Sequence, residues 1–148
     1  MKPNKDVLKR VMAARERLKE VARRTTERAA ASYQGAKEVL DQRDRALVEL
    51  AAAVPGRLAQ ARGVGELERI EAERTFGVAA KAKAVDLTME AKKALDVERK
   101  KLEHRARDLE VVERALERLE TSIGERERRR EQAVLDDLSA QRFGRARR

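Results

Sequence analysis

A chain of 148 residues with 43% charged and only 2% aromatic side chains has the length of a domain without the large apolar groups that fill a globular interior. Without cysteine there is neither a disulfide framework nor a cysteine metal site, and a net charge of +9 points to acidic protein surfaces, nucleic acid or anionic lipid as partners. No run approaches the uncharged apolar length of a membrane span, and the start MKPNKDVLKR lacks the apolar core of a signal peptide, so a cytoplasmic protein is expected.

The apolar residues are mostly Ala, Leu and Val, which with Glu, Arg and Lys is the composition of long helices. Proline occurs only at Pro3 and Pro55, so helices are free to break there and nowhere else. Helix 1 is expected from about Lys5, capped by Asn4 or Asp6, to about Val54. Its seam steps in alternating fours and threes through Leu18, Ala22, Thr25, Ala29, Ser32, Ala36, Val39, Arg43, Ala46 and Leu50. Tyr33, Leu40 and Leu47, seven apart, are either the true core of this helix or part of an exposed strip. Small seam residues bring helices close but bury little area, at about 25 cal/mol per Å², so each layer stabilises weakly.

Val54-Pro55-Gly56 and Gly63-Val64-Gly65 concentrate the chain-breaking residues, and the loop is expected over 55–65. Helix 2 is expected over about 66–140, its first turns carrying Glu66, Glu68, Glu71 and Glu73, which complement the helix dipole. Residues 141–148 form a tail, with Gly144 to Arg148 expected to be disordered. The strongest seam of the chain is Leu102, Leu109, Val112, Leu116, Leu119 and Ile123, alternating threes and fours once Arg105 is counted. Upstream, Val78, Ala82, Val85 and Met89 are offset by about one residue from Ala91, Leu95, Leu102 and Leu109, which predicts a local stammer. Gly77 and Gly35 either let two backbones approach or merely weaken their helices by about 1 kcal/mol relative to Ala.

Two helices with stripes to bury, joined by a short loop, predict an all-α fold: a single-domain, long two-helix antiparallel coiled-coil hairpin. If Val54 faces Glu66, the numbers of facing residues add to about 120, so Val11 meets Leu109, Leu18 meets Leu102 and Leu50 meets Ile70. Helix 1 then runs out near position 115, and Leu116, Leu119, Ile123, Val134, Leu135 and Leu138 overhang. The bland reading of the overhang is a frayed tail or a homodimer contact; the functional one is a binding segment. Glu125-Arg126-Glu127-Arg128-Arg129-Arg130 sits within it, and such a run alone reads as a solvated face. Residues 1–30 carry ten basic and four acidic side chains, 31–124 eighteen of each, and 125–148 eight and five. All of the net charge therefore lies in two terminal segments that a hairpin brings to one end, giving a bipolar rod.

Nucleic acid is disfavoured as a partner because Glu alternates with the basic residues and Phe143 is the sole aromatic near them. Lipid is disfavoured by the lack of Trp and bulky anchors, leaving membrane association to partners. His104 reads as a surface histidine, and Gly63-Val64-Gly65 as a turn rather than a nucleotide fingerprint. Phe76, Ala80 and Leu87 lie roughly opposite Val78, Val85 and Met89 and form a second apolar strip. No catalytic constellation is present, so a non-enzymatic protein without cofactor or metal is expected.

The near-complete pattern resembles the FliJ/YscO family of type III secretion stalk proteins, flagellar or injectisome: a helix from the start, a break near 55–65, a longer second helix, and Glu131-Gln132-Ala133-Val134-Leu135-Asp136-Asp137-Leu138 followed by Gln141-Arg142-Phe143. The resemblance implies a cytoplasmic coiled coil whose open end enters the hexameric ring of the secretion ATPase. It would promote ring assembly or activity and link the ATPase to the cytoplasmic domain of the export gate, with export chaperones as further partners. Transferred to this chain, the ATPase contact would comprise Val11, Met12, Leu116, Leu119, Ile123, Arg126, Arg128, Arg129, Arg130, Leu135 and Leu138. Tyr33, Leu40, Leu47, Phe76 and Leu87 would face the gate or a chaperone. The competing readings are a homo-oligomeric coiled-coil scaffold and, more distantly, a basic nucleic-acid-binding protein.

Overall fold

The computed structural model describes residues 4–145, which form two α-helices, α1 (Lys5–Gln60) and α2 (Val64–Arg145). The all-α helical hairpin expected from the spacing is the observed fold. Its helices contribute to two compact units: within the described residues, unit 1 comprises 4–20 with 104–145, and unit 2 comprises 21–103.

Asn4 is the cap of α1. Its Oδ1 accepts the Asp6 amide at 3.0 Å and its carbonyl accepts the Leu8 amide at 3.1 Å. The expected end at Val54 is corrected by the structure: α1 runs through Pro55 to Gln60, which leaves only residues 61–63 between the helices. Proline removes the amide that would bond the Ala51 carbonyl, and Ala51 is exposed, so water can take that bond. The start of α2 caps itself, with Glu66 Oε2 accepting the Arg62 amide at 2.7 Å and the Glu66 amide donating to the Gly63 carbonyl at 3.2 Å. No glycine among the described residues takes a positive φ, so Gly63 and Gly65 are not conformational necessities of the turn. At its far end α2 continues through 141–145, where a tail was expected; residues 146–148, which that expectation of disorder also covered, lie outside the described residues.

In unit 2 the inward positions of α1 are Ala22, Thr26, Ala29, Tyr33, Ala36, Leu40, Leu47, Leu50 and Val54. The expected seam holds at Ala22, Ala29, Ala36 and Leu50, but Ser32, Val39 and Ala46 are exposed, and Tyr33, Leu40 and Leu47 take the inner places one residue later. Along α2, Ile70, Gly77, Lys81, Ala84, Thr88, Ala91, Leu95, Glu98 and Leu102 are buried or half-buried. These steps keep one register, so the expected stammer is absent; Val78 and Met89 are half-exposed beside the seam. Three polar members, Lys81, Thr88 and Glu98, had concealed the repeat.

Those polar members also help to fix the pairing. Thr88 Oγ1 donates to the Ala36 carbonyl at 3.2 Å, Thr26 Oγ1 to the Glu98 carbonyl at 3.2 Å, and Thr25 Oγ1 to Glu98 Oε2 at 3.2 Å. Leu47 lies over Gly77, where an added methyl would come within 2.7 Å of Leu47 Cδ2. Facing residues thus add to about 124, one helical turn beyond the expected value, because the joint is shorter than expected. Large residues then fall opposite small ones: Leu47 opposite Gly77, Leu40 opposite Ala84, Leu95 opposite Ala29. Gly77 is the close approach; Gly35 has nothing within 4 Å of an added methyl and merely weakens α1.

Unit 1 follows the same pairing. Arg15 pairs with Asp108, and Lys5 Nζ lies 2.8 Å from Glu120 Oε1, so α1 covers α2 as far as position 120. Leu109 is buried, and Leu8, Met12, Val112, Leu116, Leu119 and Ile123 are half-buried. The expectation that Leu116, Leu119 and Ile123 lack intrachain cover is therefore corrected: the uncovered part of α2 begins after Gly124, about two turns later.

Candidate interaction surfaces

In unit 1, every described residue from Glu125 to Phe143 is exposed, in a helix that α1 no longer accompanies. Helical geometry persists there through local bonds: Gln132 Nε2 donates to Asp136 Oδ1 at 2.9 Å and Ser139 Oγ to the Leu135 carbonyl at 2.8 Å. Val134, Leu135, Leu138 and Phe143 present apolar surface, with Phe143 75% exposed. Val134 and Leu135 line a shallow groove beside Arg130 and Glu131. Arg126, Arg128, Arg129 and Arg130 precede this patch and Asp136 and Asp137 lie within it, so the segment is basic first and acidic after.

The residues proposed for one ATPase contact thus divide. Leu135, Leu138 and the four arginines are exposed on the uncovered part of α2, Leu116, Leu119, Ile123 and Met12 are half-buried beneath α1, and Val11 faces outward at 38% exposure. At the edge of the covered part, the hydrogen bond and charge of Lys5 hold the Glu120 carboxyl below its usual range, and Glu120 in turn raises Lys5. Nearby, Asp108 collects Arg15, Arg105 at 3.8 Å and His104 at 3.8 Å; His104 itself is 71% exposed, as a surface histidine should be.

In unit 2 a groove of about 460 Å³ opens beside the seam, with Val39, Phe76, Ala80 and Leu87 on its walls and Arg43 and Lys83 among its lining. Phe76 and Leu87 are 71% and 50% exposed. The structure brings these two together but sends Tyr33, Leu40 and Leu47 into the helix interface, so the five expected gate or chaperone residues do not share one surface. Val39, Arg43 and Lys83 were missed as groove residues. The signal was available: Val39 precedes Leu40 by one position, as Phe76 precedes Gly77, and in an antiparallel pair equal offsets share a side.

Two further ionic contacts in unit 2 hold the helices. Arg57 meets Glu73 at 2.5 Å, and its hydrogen bond holds that carboxyl below the usual range; Lys81 pairs with Asp44. The Glu98 carboxyl is held low by the Lys101 hydrogen bond, aided by Thr25 and opposed by partial burial. Among the described residues no group of three or more His, Cys, Asp or Glu could hold a metal ion, and no helix is long and apolar enough to cross a membrane. Comparison of the chain with protein-family models, with curated proteins and with solved structures returns no match.

Proposed function

We propose that this protein is the non-enzymatic central stalk of a type III secretion export apparatus, flagellar or injectisome, acting in the cytoplasm on the ring of the secretion ATPase. The observation that carries this reading is the stretch of α2 after Gly124, a helix without its hairpin partner that exposes four arginines and then Val134, Leu135, Leu138 and Phe143. A helix of this kind is narrow, about 10 Å across with side chains, which suits insertion into the centre of a ring. Its arginines would meet acidic groups and its apolar patch would be covered by ring subunits. The family resemblance in the sequence supplies the identity of the ring, and with it the roles of export gate and chaperones as further partners of the Phe76 and Leu87 surface.

A homo-oligomeric scaffold is the competing reading. The uncovered part of α2 offers four large exposed apolar side chains per copy, a small contact beside the roughly 1,200 Å² at the lower end of stable interfaces, which favours a partner that surrounds the helix. The test is the hydrolysis rate and oligomeric state of the cognate ATPase with intact protein and with protein ending at Gly124. Stimulation or ring formation that requires the missing segment supports the stalk. An intact protein that leaves the ATPase unchanged, together with a dimer that truncation dissolves, supports the scaffold instead.

A further inference from the structure

We propose that unit 1 carries a second docking face, on one flank of the helix pair beside its seam, that takes an acidic amphipathic helix from a partner protein. Val7, Val11, Ala14 and Leu18 repeat at steps of four, three and four, the spacing of a helix-packing seam, yet all are exposed, Val7 by 50% and Leu18 by 43%. The seam actually used by α1 in this unit holds Leu8, Met12 and Arg15. This helix therefore turns apolar side chains outward as well as inward. Val7, Val11 and Ala14 each precede an inward residue by one position, and on α2 Val111, 67% exposed, likewise precedes the inward Val112. Equal offsets in antiparallel helices place Val111 on the same side, so both helices contribute to one apolar strip on which a third helix can lie.

Charge selects the occupant. Arg10 and Arg17 on α1 and Arg118 on α2 are exposed, lie on the flanks of this strip or within it, and take part in no hydrogen bond or ion pair among the described residues. Three unpaired cations beside apolar side chains match a helix carrying an apolar stripe edged by Glu or Asp. A second copy using the same face would set arginine against arginine, since a two-fold contact is self-complementary. A lipid surface is poorly served by Val and Ala, which lack the reach of aromatic anchors. Val11 also belongs to the proposed ATPase contact, yet nothing in this face depends on that reading.

The probe is a labelled synthetic helical peptide about three heptads long, with Leu at the a and d positions and Glu beside them, titrated with the full-length protein at about 0.15 M salt and followed by fluorescence anisotropy. Saturable binding is expected, weakened at least tenfold by Val11→Ser with Leu18→Ser and, separately, by Arg10→Gln with Arg17→Gln and Arg118→Gln. All five positions are exposed, so circular dichroism should show unchanged helicity. Equal binding of a peptide with Lys in place of Glu overturns the proposal, as does wild-type affinity in either variant. So does a dimer in light scattering that the Val11 and Leu18 changes dissolve, which gives the face to a second copy. Binding to phosphatidylserine vesicles lost in the same variants gives it to lipid and overturns the proposal equally.

Discussion

Unit 2 and unit 1 are built from the same two helices but differ in how they use them. Of the buried apolar residues among those described, Ala22, Ile70, Ala84 and Leu95 lie in unit 2 and only Leu109 in unit 1. In unit 2 small residues opposite large ones draw the helices together, and Thr26, Thr88 and Glu98 hold their pairing through hydrogen bonds across the seam. In unit 1 the inward positions include Arg15 and Arg105, α1 gives out, and apolar side chains face outward on both helices. The difference teaches that the same two helices can close a packed seam in one stretch and leave apolar surface open in another.

Truncation after Gly124 should break that comparison most sharply. Under the proposed stalk function, loss of ATPase binding by more than tenfold is expected, with the thermal midpoint unchanged, because the removed and described residues are exposed; a large fall in the midpoint would show that the segment is structural. Leu95→Ala should do the opposite, lowering unfolding free energy by about 2–4 kcal/mol in urea titration, since Leu95 is 3% exposed and α1 cannot collapse far onto the space left. Leu135→Ala, at 58% exposure, should leave stability within about 0.5 kcal/mol.

The two glycines of unit 2 sharpen the packing claim. Gly35→Ala should stabilise by about 1 kcal/mol through helix propensity alone, whereas Gly77→Ala should gain less because the new methyl displaces Leu47. Equal gains in thermal denaturation would mean that the close approach is absent in solution. The smallest effect concerns pH. Glu73, Glu98 and Glu120 have carboxyls held low in the folded chain, so their stabilisation is complete above the ordinary carboxylate range and is lost as pH falls below it. Lys5 and Arg57, raised by the same contacts, keep theirs below their ordinary range and lose it only as pH rises past it, above pH 10 for Lys5. Melting temperature should therefore fall below about pH 4, and Glu98→Gln should shallow that fall.

The sequence by itself determined that there are two long helices, that the chain reverses within about residues 55–65 and that α2 outruns α1. Spacing of apolar residues, two prolines and unequal helix lengths are local properties, and they survive without knowledge of what packs on what. Which face of α1 turns inward was beyond its reach, because Ala, Ser and Thr occupy both candidate stripes and differ little in hydrophobicity. Only packing separated Ser32 from Tyr33 and Val39 from Leu40, by setting Leu40 opposite Ala84 and Leu47 over Gly77. The joint was also beyond local reading: Pro55 signals a break, yet α1 continues through it to Gln60, with Ala51 exposed so that water can bond the carbonyl left without its amide partner. That extension moved the pairing along by about four residues, brought α1 over Leu116 and Leu119, and so decided where the helix stands alone.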